Sequence, residues 1–228
     1  MLIDNATRTL RAQALSILRD ELISGRLRPG DRVNEVQIAT EMGISRGTLR
    51  EAIRNLEQEG LLVSIPHRGT SVRRLTVAEA AELQEVRLSL EVTAAIRVSR
   101  AWTPAVEAIL EDRLDVLAHA YTTPLPFPER LRADLGFHGA ICESCGNRTL
   151  LDVWRSLVGH VTVMVLHVGP ARMTQLQDPD AHRPLLEAIA SANERTIRRV
   201  FTRHFDEGQR VVAAAFEAAD VTTRRDGV

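Results

Sequence analysis

The sequence predicts a mainly α-helical protein with two parts: an N-terminal winged helix-turn-helix in residues 1–75 and a C-terminal all-α bundle of six or seven helices in residues 76–228. Two observations support this. Apolar residues recur at spacings of three and four along most of the 228-residue chain, which is typical of helices with one buried face. The alternation typical of strands is confined to the stretch between Leu61 and Leu75.

Composition and charge distinguish the two parts. Hydrophobic residues make up 44% of the chain and charged residues 26%, which excludes a disordered or collagen-like protein. Residues 1–75 carry 12 arginines against 9 acidic residues, whereas residues 76–228 carry 17 against 21. This asymmetry indicates that the two parts have different partners.

No segment predicts a membrane span or export. The sequence has no run of 18 apolar residues, and residues 1–4 lack the pattern of a signal sequence. We therefore expect a cytoplasmic protein with no membrane partner. The two cysteines, Cys142 and Cys145, are too few to staple a chain of this size, which agrees with a reducing compartment.

Three helices are expected before the alternating stretch, over residues 7–25, 34–42 and 45–59. Gly43 ends the second helix, and the Ser45 hydroxyl can accept a hydrogen bond from a free amide of the third. The second and third helices and the short turn between them form a helix-turn-helix.

The alternating stretch is broken by Pro66-His67-Arg68-Gly69, which predicts a β-hairpin with these residues at its tip. A helix-turn-helix followed by such a wing binds double-stranded DNA, with its second helix in the major groove. The expected contacts come from the start of that helix and from the hairpin tip: Ser45, Arg46, Thr48, Arg50, His67, Arg68 and Gly69. The alternative is that Arg46 and Arg50 only form surface ion pairs with Glu51 or Glu57.

The second part begins with Thr76-Val77-Ala78-Glu79, a capping box in which both side chains satisfy free backbone amides. Nearly everything beyond it has helical periodicity. Helices are expected over residues 76–101, 103–121, 128–145, 147–167, 179–191 and 193–219.

Four potential metal ligands lie on the buried faces of three of these helices. Asp134 and His138 are four residues apart and therefore share one face. His182 and His204 are in register with the apolar residues of their own helices. Three imidazoles and a carboxylate suit zinc, nickel or another divalent transition metal, and zinc is the first choice. The alternative is that each histidine is a hydrogen-bonded core residue.

Almost all of residues 8–75 resemble the DNA-binding domain of GntR-family regulators. The resemblance rests on Leu27-Arg-Pro-Gly-Asp-Arg-Val-Asn-Glu, Met42-Gly-Ile-Ser-Arg46, Leu49-Arg-Glu-Ala-Ile53 and Leu56-Glu-Gln-Glu-Gly-Leu61. Two positions depart from the family pattern. Gly47 stands where Thr is usual, and His67 where Asn is common before Arg-Gly.

Residues 76–216 resemble the FCD effector domain of the FadR-like branch. The matching segments are Glu85-Val-Arg87, Leu90-Glu91, Asp134-Leu-Gly-Phe-His138, Gly146-Asn147, His182…Leu186-Glu-Ala-Ile189 and His204. In metal-binding members, one Asp and three His hold a divalent cation at the floor of the ligand cavity. The resemblance implies that these ligands are Asp134, His138, His182 and His204, and that the effector is a small organic acid.

Three further residues are candidates for contacts with that acid. Arg87 matches a family arginine that could bind a carboxylate through two hydrogen bonds, although it could instead pair with Glu91. Asn147 is either a ligand contact or the N-cap of the helix it precedes. His160 is the third candidate.

The pair Cys142-Glu-Ser-Cys145 is interpreted as incidental packing, because redox pairs of this spacing begin a helix whereas these residues end one. A Cys142 thiolate replacing one metal ligand is the minor alternative.

Together these features predict a ligand-responsive transcriptional regulator, most simply a repressor, that acts as a homodimer on a palindromic operator. We expect no enzymatic activity. Two alternatives use the same site: a metal sensor, in which the cation is the signal, and a metal-dependent hydrolase. The hydrolase would need Glu91 or Glu143 as general base, and neither lies in a motif such as His-Glu-x-x-His.

Overall fold

A computed structural model of the chain describes residues 2–169, 172 and 177–225. These residues form nine α-helices and one β-hairpin, which confirms the predicted fold class. In chain order the elements are α1 (Leu2–Ile23), α2 (Glu35–Glu41), α3 (Arg46–Gln58), β1 (Leu62–Ile65), β2 (Gly69–Val72), α4 (Val77–Arg100), α5 (Pro104–Thr122), α6 (Phe127–Ser144), α7 (Arg148–Val168), α8 (Pro179–Ala190) and α9 (Glu194–Arg225).

The chain divides into two compact units. The first contains the residues up to Arg74 together with Gly159–His167, and the second contains Leu75–Val158 together with the residues from Val168 onward. Residues 148–158 of α7 therefore belong to the second unit, and residues 159–167 belong to the first.

In the first unit, α1 and α2 pack against α3. Helix α3 buries one face, formed by Leu49, Ala52, Ile53 and Leu56. As predicted, the Ser45 hydroxyl caps α3 by accepting a hydrogen bond of 3.0 Å from the Thr48 amide.

The hairpin is antiparallel, and its register pairs Leu62 with Val72 and Ile65 with Gly69. Its turn is closed by a hydrogen bond of 3.0 Å from the Arg68 amide to the Ile65 carbonyl. Proline at the first central position and a positive φ of 62° at His67 match a type II turn. This geometry favours Gly or Asn at position 67.

Residues 159–167 of α7 complete the first unit. A Cβ atom at Gly159 would overlap the backbone carbonyl of Glu59, so the helix approaches this carbonyl more closely than any side chain would permit. The next residue, His160, places its imidazole ring so close to Gly60 that a Cβ atom at position 60 would overlap the ring.

The second unit is a helical bundle. Helix α9 packs along α4 and α8, while α5 packs along α6 and α8. Helix α4 begins with the predicted capping box between Thr76 and Glu79. The core is mostly aliphatic, with Phe137 and Phe201 fully buried within it.

Among the described residues, α7 alone is long and apolar enough to cross a membrane, with a mean hydropathy of 1.3 over 18 residues. Core helices of soluble proteins pass the same test, and 44% of this window is buried inside the structure. A single helix of this kind is weak evidence for a membrane span.

The turn between α8 and α9 gives a test of the local conformation. Ala192 has a φ of +51° just beyond the end of α8, a position where glycine is preferred. We expect Ala192→Gly to raise the free energy of unfolding by about 0.5–1 kcal/mol, which corresponds to about 1–4 °C in Tm.

The matched control is Ala190→Gly, because Ala190 is equally exposed but is the last residue of α8. This substitution should lower the free energy of unfolding by about 0.5–1 kcal/mol. Thermal and denaturant unfolding followed by circular dichroism measure both, and stabilisation by neither or by both would contradict the left-handed conformation of Ala192.

Candidate metal centre and nucleic-acid interface

Three histidines from three helices meet inside the second unit: His138 on α6, His182 on α8 and His204 on α9. One ring nitrogen of each lies within 4.8 Å of the corresponding atoms of the other two. The ring centroids are 5.3 Å apart for His138 and His182 and 4.7 Å apart for His182 and His204. His138 and His182 are buried and His204 is half-buried. Three imidazoles predicted to share one bundle thus lie within reach of one ion.

The second ring nitrogen of two of these histidines is held by a hydrogen bond. His138 donates from Nδ1 to Glu91 Oε2 at 2.6 Å, and His182 donates from Nδ1 to the Asp178 carbonyl at 2.9 Å. In the neutral form of each ring, the proton is on Nδ1 and Nε2 keeps its lone pair for a metal. This arrangement is typical of metal-binding histidines, whose outer nitrogen donates to a carboxylate or carbonyl.

Asp134 extends the cluster. Its Oδ1 atom lies 3.3 Å from His182 Nε2, but the two groups are not aligned as a hydrogen bond, and Nε2 has no other hydrogen-bond partner. An unsatisfied buried nitrogen beside a carboxylate is costly in an apolar core. A divalent cation would satisfy both atoms, so Asp134 and the three histidines fit a transition metal such as zinc.

Burial and charge shift the pKa values within this cluster. Burial, together with repulsion from His138 and His182, holds the pKa of His204 well below its ordinary value. Burial lowers the pKa of His182, but Asp134 and the Asp178 carbonyl outweigh this effect and raise it. Burial likewise raises the pKa of Asp134, and His182 more than compensates and lowers it.

A fully buried carboxylate, Glu91 on α4, lies beside the histidines. Besides accepting from His138, it accepts hydrogen bonds of 3.0 Å from Arg87 Nε and from Trp154 Nε1. Burial raises the pKa of Glu91, but the charges of Arg87 and His138 and the hydrogen bonds from His138 and Trp154 outweigh burial and lower it. We call Arg87, Glu91, His138 and Trp154 the Glu91 cluster.

From the sequence, Glu91 is expected only as a partner of Arg87 or as a general base. The signal in the sequence is the spacing of four residues between Arg87 and Glu91, which places both on one face of α4. The contacts with His138 and Trp154 join residues 47 and 63 positions away, so local spacing does not reveal them. Glu143, the other candidate base, pairs with Arg155 at the surface.

Arg87 forms the alternative ion pair with Glu91. Its Nη2 atom lies 2.9 Å from Glu91 Oε1 but is not aligned for a hydrogen bond. Its guanidinium carbon lies 5.0 Å from the centre of the Phe205 ring. The side chain is buried, so this group is held in place in an apolar setting.

Four residues considered at the sequence level lie outside the histidine cluster. Asn147 is the N-cap of α7, since its side-chain oxygen accepts a hydrogen bond of 3.1 Å from the Leu150 amide. His160 belongs to the first unit, against Gly60. Cys142 and Cys145 are buried free thiols, and burial raises the pKa of Cys142, so this thiol stays protonated.

The candidate DNA-binding residues are found at the exposed start of α3 and at the hairpin tip. Ser45 and Thr48 bond to each other through their hydroxyls at 2.8 Å, and Arg46 is exposed in the first turn of α3. Arg50 is paired neither with Glu51 nor with Glu57; it donates to Glu35 Oε2 at 3.0 Å.

The same Glu35 carboxylate accepts a hydrogen bond of 3.0 Å from Thr70 on β2. Glu35 therefore joins α2, α3 and the wing. His67, Arg68 and Gly69 are exposed at the hairpin tip, as predicted for a wing that reaches DNA.

Two family models match the chain. Residues 10–72 match the model described as bacterial regulatory proteins, gntR family, and residues 82–207 match the FCD domain. The chain is 29% identical over 193 residues to the uncharacterized HTH-type transcriptional regulator YdhC of Bacillus subtilis, covering 83% of this chain and 84% of that protein.

It is also 28% identical over 208 residues to the probable D-xylose utilization operon transcriptional repressor of Paenarthrobacter nicotinovorans, covering 86% of this chain and 85% of that protein. A crystal structure of a putative transcriptional regulator GntR from Rhodococcus sp. RHA1 shares the fold, with a TM-score of 0.76 and 22% identity. That match covers 90% of this chain and 98% of the other.

These matches cover both units, and the proteins concerned are regulators of transcription, not enzymes. The chain therefore belongs to the GntR family of bacterial regulatory proteins and is a DNA-binding transcriptional regulator with a C-terminal FCD domain.

Proposed function

We propose that this regulator is a cytoplasmic repressor of the FadR-like branch whose FCD domain binds a divalent transition metal, zinc foremost, and a small organic acid. The acid modulates binding of a homodimer to a palindromic operator. Repression is supported by the similarity to the D-xylose utilization operon repressor over 85% of that protein's length. A dimer is expected because each winged helix reads one half-site, and two-fold symmetry then matches a palindrome.

One observation supports the metal most strongly: three imidazoles each have a ring nitrogen within 4.8 Å of the others, and two of the rings already donate their outer N–H to an oxygen. Core histidines that only satisfy each other would use both nitrogens. Here His182 Nε2 is buried without a hydrogen bond beside Asp134. Asp134, His138, His182 and His204 would hold the ion.

The acid is inferred from what surrounds the cluster. When bound, the metal would offer a Lewis-acidic position to a carboxylate oxygen. Arg87 would bind the same ligand through its buried Nη2, which lies 2.9 Å from Glu91 Oε1 without forming a hydrogen bond to it. A charge-assisted hydrogen bond from a buried guanidinium favours an anion over a neutral molecule.

The metal site is tested by His138→Ala, with His119→Ala as the matched control. His119 is exposed on α5 and takes no part in the cluster. We expect the His138 variant to lose at least about 100-fold in Zn²⁺ affinity, because one ligand is removed, and the His119 variant to keep wild-type affinity. Competition with a chelating indicator measures both. Equal affinities in the two variants would exclude this site.

The DNA interface is tested by Arg46→Ala, using a duplex that the wild-type protein selects from a random pool. Loss of a phosphate or base contact should weaken binding by about 1–3 kcal/mol, or roughly 5- to 150-fold, without changing Zn²⁺ affinity. The control is Arg54→Ala on the same helix, where Arg54 forms an exposed pair with Glu51. If the Arg54 variant loses as much affinity as the Arg46 variant, only overall charge matters.

The response to the organic acid is tested by measuring operator affinity in three states: the metal-free protein, the Zn²⁺-loaded protein, and the loaded protein with short hydroxy- and dicarboxylic acids. We expect the acid to change affinity by roughly 5- to 150-fold and, by linkage, to bind free and operator-bound protein with affinities that differ by the same factor. Arg87→Met should abolish this response. A change with Zn²⁺ alone, unaffected by any acid, would identify a metal sensor instead.

A further inference from the structure

Glu91 is the most deeply buried carboxylate among the described residues of the second unit. It is 0% exposed and accepts hydrogen bonds from three side chains: Arg87 one turn earlier on the same helix, His138 on α6 and Trp154 on α7. Two of its donors are tied to the proposed function, because His138 is a candidate metal ligand and Arg87 a candidate contact for the acid.

The two carboxylate oxygens of Glu91 accept different numbers of hydrogen bonds. Oε1 accepts from Arg87 and Trp154, whereas Oε2 accepts from His138 alone, at 2.6 Å. An acceptor-only group facing Nδ1 requires the proton to be on Nδ1. In the neutral ring, His138 therefore keeps its Nε2 lone pair free for a metal. The carboxylate also fixes the rotation of the ring, as outer partners of metal-binding histidines do.

We propose that Glu91 is a positioning residue of the metal site: it fixes the tautomer and orientation of His138 and at the same time holds Arg87 for the acid. This inference rests on the proposed metal site and adds a residue that does not touch the ion. It also explains the burial of an acidic residue that is neither a metal ligand nor a surface charge.

Glu91→Gln is the matched substitution, because it preserves shape and removes one acceptor oxygen. A glutamine offers one carbonyl oxygen to three donors and places an NH₂ group where the second oxygen was. His138 Nδ1 and the amide then compete as donors, and the imidazole loses its fixed orientation. We expect Zn²⁺ affinity to fall by about 10- to 100-fold.

Trp154→Phe is the control for a general disturbance of the Glu91 cluster. It removes one hydrogen bond to Oε1 and keeps an aromatic ring, while the contact between Oε2 and His138 remains. This variant should lose clearly less Zn²⁺ affinity than Glu91→Gln, because the contact that orients His138 remains. An equal loss in both variants, or no loss in Glu91→Gln, would overturn the proposal.

A spectroscopic measurement on the metal-free wild-type chain tests the same point without a substitution. Histidine labelled with ¹⁵N should show His138 protonated at Nδ1, with a strongly downfield proton signal from the short hydrogen bond to Glu91. A His138 ring protonated only at Nε2 would contradict the proposal even if the Glu91 variant does not fold.

These outcomes separate the two inferences. If the wild-type chain binds no Zn²⁺, the proposed metal site is wrong, and the NMR measurement still decides whether Glu91 sets the His138 tautomer. If the wild-type chain binds Zn²⁺ and Glu91→Gln binds it equally well, the metal site stands and the positioning role of Glu91 is wrong.

Discussion

The buried charge of Glu91 is the interaction on which the second unit depends most. A carboxylate removed from water is stable only when charges and hydrogen bonds replace its hydration. Arg87 from α4, His138 from α6 and Trp154 from α7 supply them. Because these donors come from three helices, satisfying one charge fixes how those helices lie against each other. Hydrophobic contacts alone would define their spacing far less precisely.

The helices themselves could be predicted because each has a local cause. The buried face of α3, the Ser45 cap and the capping box at Thr76 and Glu79 all follow from short-range spacing, and the structure has each of them. The placement of His138, His182 and His204 on buried faces was predictable for the same reason. The periodicity of apolar side chains shows which face of a helix is buried, even when the element that packs against that face is unknown.

Contacts between elements distant in sequence could not be predicted in this way. The hydrogen bond from His138 to Glu91 and that from Trp154 to Glu91 depend on how helices align, which spacing within one helix does not determine. The same holds for Arg50, whose partner is Glu35 on the preceding helix and not an acidic residue of its own helix. For Asn147 the pattern allowed two interpretations, and the structure has the N-cap.

The division of α7 has a consequence for how far the two halves of the chain can be treated as exchangeable modules. Residues 159–167 are grouped with the first unit, and Gly159 leaves no room for a side chain against Glu59. A DNA-binding module cut from the sequence near residue 75 would therefore lack a surface built by residues some 85 positions later. Joining this N-terminal unit to a foreign effector domain would therefore require residues 159–167, with Gly159, to be carried along.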